Sequence, residues 1–70
     1  MLTYQVEQAA HNLAVASVKY HLARIEYINM DPNNPEWDEY YRKMKEAQVE
    51  MEIAEKEFHV AVMNNAKLLA

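Results

Sequence analysis

The chain has no cysteine, no glycine and only two prolines among its 70 residues. The lack of cysteine excludes disulfides and thiolate zinc sites. The lack of glycine, together with many Ala, Glu, Met and Lys residues, favours helices over a turn-rich β-sheet protein. A chain this short has a core that rarely supplies more than about 3–5 kcal/mol. We therefore expect it to gain stability by associating with other helices.

Long uncharged hydrophobic runs are also missing. The apolar stretch from Ala9 to Ile25 is interrupted by five polar or charged residues: His11, Asn12, Lys19, His21 and Arg24. This pattern does not predict a membrane span. The first residues do not predict a signal peptide. We expect no membrane association and a cytoplasmic location.

Both prolines lie in one short segment, Met30 to Pro35. Each proline disfavours helical geometry in the residue before it, so a first helix, α1, is expected over about 3–30 and a turn at 31–34. Asn34 is a suitable N-cap and Pro35 a suitable first helical residue, which predicts a second helix, α2, over about 35–68. Residues 1–70 are expected to form one all-α domain, a two-helix antiparallel hairpin.

Large residues and alanines alternate along a heptad seam on each predicted helix. Folding at the turn pairs residues whose numbers sum to about 67, and each pair sets a large residue against an alanine. This predicts a tightly packed, coiled-coil-like seam, which we call the seam. Its expected residues are Val6, Ala9, Leu13, Ala16, Tyr20, Ala23, Tyr27, Trp37, Tyr40, Met44, Ala47, Met51, Ala54, Phe58 and Ala61. Leu2 and Leu68 extend the same pattern at the two ends.

A second set of apolar residues lies on the opposite side of each predicted helix. We call the first set the outer row of α1: Tyr4, His11, Val15, Val18, Leu22 and Ile25. The outer row of α2 is Val49, Ile53, Val60 and Met63. A hairpin partner can cover only one side of a helix, so both rows are expected to bind another copy or another protein. The sequence therefore predicts a four-helix or larger bundle, most simply a homodimer.

Five glutamates are concentrated on the second helix and are here called the acidic band: Glu46, Glu50, Glu52, Glu55 and Glu57. Such a cluster is ordinarily a solvated face. It is also a possible docking face for a basic protein partner.

The sequence offers little for catalysis or metal binding. Ser17 is the only serine, and no cysteine is available as a nucleophile. Glu55 and His59 are spaced four apart, which is a weak metal-ligand pattern. We expect no enzymatic activity, no metal and no cofactor.

Basic and aromatic residues cluster only between Trp37 and Lys45, where Arg42, Lys43 and Lys45 are found. Acidic neighbours and the net charge of −4 make nucleic acid an unlikely partner. The alternating seam nevertheless resembles the dimeric four-helix bundle of Rop-type plasmid RNA-binding proteins. That resemblance implies structured RNA as an alternative ligand, with Lys19 and Arg24 joining the three cations of the second helix on one surface.

The turn from Asp31 to Glu36 is similar to the proline-asparagine turns of type III secretion needle subunits, which are helical hairpins that polymerise. This resemblance implies a self-polymerising structural subunit as a further alternative. The function we expect first is a non-enzymatic interaction protein of the adaptor, chaperone or inhibitor type, such as phages and plasmids encode, acting as a homo-oligomeric bundle.

Overall fold

The structure, a computed structural model, describes residues 3–69. The described residues form two α-helices, α1 over Tyr4–Asn29 and α2 over Trp37–Leu69, which pack against each other. Thr3 contacts Asn65 at one end and Tyr27 contacts Trp37 at the other, so the helices run antiparallel. The all-helical hairpin predicted from the sequence is confirmed.

Thr3 begins α1 and also connects it to α2. Its hydroxyl accepts a hydrogen bond from the backbone N–H of Val6, which is the usual N-cap arrangement. Its own backbone N–H donates to Oδ1 of Asn65 at 3.1 Å. Asn65 of α2 thus holds the beginning of α1 in place.

The connection between the helices consists of two successive proline turns. Asp31 Oδ1 accepts from the N–H of Asn33, and Asn34 Oδ1 accepts from the N–H of Glu36. In each turn the residue after the Asx residue is proline, whose fixed φ suits that position. No described residue has a positive φ, so this connection forms without glycine.

The second turn makes α2 begin later than expected. The backbone N–H of Trp37 donates to the carbonyl of Asn34, an i to i+3 bond that closes a turn over residues 34–37. The α-helix then begins at Trp37 instead of residue 35. Asn34 still accepts the N–H of Glu36 at 2.8 Å, as an N-cap side chain does.

All fifteen residues assigned to the seam are buried or half-buried. Val6, Ala9, Met44, Ala54 and Ala61 are the most buried. Val6, Ala9 and Ala61 form one cluster, against which Phe58 packs. Val6 with Ala61 and Ala9 with Phe58 are pairs whose numbers both sum to 67.

The ends of the seam differ from the expected pattern. Leu68 is 76% exposed, because α2 extends beyond Thr3 and no side chain within residues 3–68 lies opposite Leu68. Leu2 lies outside the described residues.

The hairpin is a narrow rod. Its Cα extents are 56 × 14 × 12 Å and its radius of gyration is 16.1 Å. A compact domain of this length would have a radius of gyration of about 11 Å. Two helices alone cannot enclose a core, so each keeps one side towards its neighbour and the other towards solvent.

Candidate interaction surface

The outer row of α1 is exposed along its whole length. Val18, Leu22 and Ile25 are 55–58% exposed, and Ile28 extends the row by one further turn. From His11 to Ile25 the residues follow one another at intervals of three and four, so they form one stripe on the side of α1 that faces away from α2, and Glu7 separates this stripe from Tyr4. Between Glu7 and Glu26 the chain has no carboxylate.

A shallow groove crosses this row near its middle. Its lining is almost entirely apolar and consists of His11, Ala14, Val15, Val18 and the stem of Lys19. The small side chain of Ala14 leaves space between larger neighbours. A side chain from another helix can pack into such a space.

The outer row of α2 is exposed too, but it is divided. Ile53 and Val60 are 51% and 55% exposed, and Lys56 lies between them on the same side of the helix. Arg42 and Glu46, which precede Val49 on α2, form a solvent-exposed ion pair in which Nε of Arg42 lies 4.0 Å from Oε1 of Glu46. The apolar part of this row is therefore interrupted and bordered by charges.

The five glutamates of the acidic band are all exposed, but they do not share one side of α2. At 3.6 residues per turn, Glu46, Glu50 and Glu57 lie on one side while Glu52 and Glu55 lie roughly opposite. Glu46 and Glu50 line one groove, and Glu57 lines another beside Gln5 and Asn12 of α1. The band is two small groups rather than a single docking face.

The cations considered for RNA binding are also divided among different parts of the surface. Arg42 and Lys45 line a groove together with Glu46 and Glu50. Lys43 lies over the ring of Tyr40, with Nζ 5.4 Å from the ring centroid. Lys19 lines the separate groove on α1.

An aromatic cluster closes the turn end of the hairpin. The centroid of the Tyr27 ring lies 5.3 Å from that of Trp37 and 5.4 Å from that of Tyr41. The Trp37 and Tyr41 rings are nearly parallel, with their centroids 6.0 Å apart. Aromatic pairs at these separations stabilise packing beyond their area. Tyr41 was not assigned to the seam, although its position four residues after Trp37 places both on adjacent turns of one side of α2.

The residues considered for metal binding or catalysis lie on the surface or beside the seam. His11, His21, Glu55 and His59 are exposed, and Ser17 is half-buried beside the seam. Within residues 3–69 no three or more His, Cys, Asp or Glu side chains are grouped so that they could hold a metal ion.

Neither helix has, in its described part, a stretch apolar enough and long enough to cross a membrane. Comparison with protein-family models, with curated proteins and with solved structures finds no match to this chain. The function must therefore be argued from the surface itself.

Proposed function

We propose that this chain is a non-enzymatic protein–protein interaction module that acts as a homo-oligomeric helical bundle. The observation that carries this proposal is the pair of exposed apolar rows on opposite sides of the hairpin. Monomeric proteins rarely expose contiguous apolar patches of this kind, and larger ones usually mark interaction sites. An adaptor, chaperone or inhibitor of another protein is the class of function that such surfaces support.

The size of the exposed surface supports the same proposal. The chain has an accessible surface of 5449 Å². A compact monomer of its 8.2 kDa mass would expose about 4,500 Å². The surplus is the surface that association with another chain would remove from water.

The sequence gives little support to catalysis. A nucleophilic mechanism requires an activated nucleophile with a base beside it. The chain has no cysteine, and its one serine, Ser17, is half-buried in the hairpin. We accordingly assign the exposed rows a binding role.

A self-polymerising structural subunit is the second candidate. Two different apolar rows on opposite sides of a rod allow a head-to-tail contact that does not close on itself. Structured RNA has weaker support, because Arg42 is paired with Glu46 and Lys19 lies in a different groove.

Light scattering behind a size-exclusion column tests the proposal over a range of loading concentrations. We expect a species of defined mass larger than the 8.2 kDa chain, most simply twice that mass. A mass that increases continuously with concentration would favour the polymerising subunit. A single chain at every concentration would contradict self-association.

A further inference from the structure

The two outer rows differ in a way that indicates which one a second copy would cover. On α1, Val15, Val18, Leu22 and Ile25 follow one another without a charged side chain in the row. On α2, Lys56 interrupts the row. From His11 to Ile25 the row on α1 has Lys19 only at its border, so this stretch can be removed from water without burying a charged group in its middle.

We propose that a second copy of this chain covers the outer row of α1 with its own outer row of α1. The resulting dimer has two-fold symmetry, with the two α1 helices in the middle and the two α2 helices outside. The inference rests on the self-association in the proposed function and specifies where that contact lies.

The chain as a whole exposes enough surplus surface for one side of a dimer contact. The chain exposes roughly 900 Å² more than a compact monomer of its mass. A standard protein interface buries about 800 Å² on each partner. The surplus of one chain therefore matches the contribution of one protomer to such an interface.

A contact between the α1 row of one copy and the α2 row of another is less favourable. It would place Lys56 against a stripe in which no carboxylate lies between Glu7 and Glu26. Burying an ammonium group without an anionic partner is strongly unfavourable. The contact would also leave one free row at each end, so the assembly would not close.

Matched substitutions test this assignment. Leu22→Glu puts a carboxylate in the middle of the α1 row, and Ile53→Glu puts one in the α2 row at a similarly exposed position. We expect Leu22→Glu to weaken dimerisation about a hundredfold or more, because both copies would bury a charge. Ile53→Glu should leave the dissociation constant within about threefold of the unsubstituted value. The dissociation constant is measured by sedimentation equilibrium, and circular dichroism checks that both variants remain helical.

Chemical crosslinking tests the same contact without relying on the stability of a dissociated hairpin. Because the chain has no cysteine, Val18→Cys and Leu22→Cys each introduce a single thiol on the α1 row, and Val49→Cys and Val60→Cys do so on the α2 row. Helices pack about 8–10 Å apart, so the two α1 rows lie within reach of a short bis-maleimide. The outermost α2 helices are about three such spacings apart and beyond its reach.

We expect covalent dimers from the α1 variants, alone or mixed with each other, and none from the α2 variants. Crosslinking of Val18→Cys with itself and of Leu22→Cys with itself indicates parallel α1 helices, and preferential crosslinking of the mixture indicates antiparallel ones. Both orientations support the proposal. Crosslinking through the α2 row, or dissociation by Ile53→Glu alone, would overturn it while leaving self-association intact. An unsubstituted chain that is monomeric throughout would overturn both the proposed function and this inference.

Discussion

Alanine determines how closely the two helices approach at the seam. Ala54 is only 6% exposed, and Ala9 and Ala61 are buried in the same way. A methyl group is all that these positions accommodate, because the opposing residues are large. Protein interiors are packed so densely that even one added methylene changes the stability.

Enlarging one of these alanines should destabilise the hairpin. We expect Ala54→Leu to lower the free energy of unfolding by about 1–3 kcal/mol through overpacking of its layer. Ala66→Leu is the matched control, because Ala66 is an exposed alanine on the same helix, and its effect should stay within about 0.5 kcal/mol. Urea denaturation at a fixed protein concentration measures both values. Equal stabilities of the two variants would show that the layer around Ala54 is not tightly packed.

Heptad spacing predicts some of the contacts between the helices but not all of them. Heptad spacing places Val6, Ala9, Phe58 and Ala61 on the seam, because periodicity and size alternation are visible in the sequence itself. It does not place Tyr41, whose ring completes the aromatic cluster from a position beside the seam. Such a contact depends on side-chain rotamers, and the sequence pattern carries no information about them.

The connection between α1 and α2 depends on two Asx residues that accept backbone N–H groups. Asp31 and Asn34 each accept from the residue two positions later, and each is followed by proline. Helix ends leave backbone groups without intrahelical partners, and these side chains satisfy some of them. The turn is therefore held by hydrogen bonds and fixed φ angles, without glycine.

Removing the side-chain acceptor in the turn before α2 should destabilise the chain measurably. Asn34→Ala removes the acceptor of the Glu36 N–H, and we expect a loss of about 1 kcal/mol. For a chain of this size that corresponds to a melting temperature lower by about 4–8 °C. Asn33→Ala is the matched control, because among the described residues Asn33 contributes only its backbone N–H to these turn bonds. Thermal unfolding followed by circular dichroism compares the two, and equal melting temperatures would show that the bond from the Glu36 N–H to Asn34 does not stabilise the chain.

At the level of elements, the number of helices, their antiparallel arrangement and the place of the turn were all predictable. Proline spacing and heptad periodicity are strong local signals, and two long helices joined by a short turn have few alternatives. The start of α2 was placed two residues too early, because Asn34 and Pro35 form a closed turn before the α-helix begins. The distribution of the five glutamates over two sides of α2 follows from helix geometry and corrects the impression of a continuous band.

As a whole molecule, the hairpin exposes more solvent-accessible surface than a compact protein of the same mass. A rod 56 Å long and about two helices wide cannot enclose a core, so the proposed association would add to its stability by covering an outer row. The outer row of α2 stays free in the proposed dimer. That row, with Ile53, Val60 and Lys56, is the surface left for a different protein.

Replacing Lys56 should change the assembly of the whole molecule. Lys56→Ile makes the outer row of α2 continuous from Val49 to Met63, so we expect dimers to associate further through their outer helices. Sedimentation velocity should then show species larger than the unsubstituted dimer. Lys43→Ile is the control, because Lys43 is an exposed lysine on a different side of α2 from the row. If the two variants sediment alike, the position of the charge does not matter and the row does not mediate association.

The interrupted row of α2 has an evolutionary consequence. Both lysine codons differ from a codon for isoleucine or methionine by a single base. In a symmetric dimer every such change appears twice, once on each outer helix, so one mutation creates two adhesive ends at once. One nucleotide change could thus convert the proposed closed dimer into an open fibre. Selection against aggregation would therefore act on the codon for Lys56 in particular.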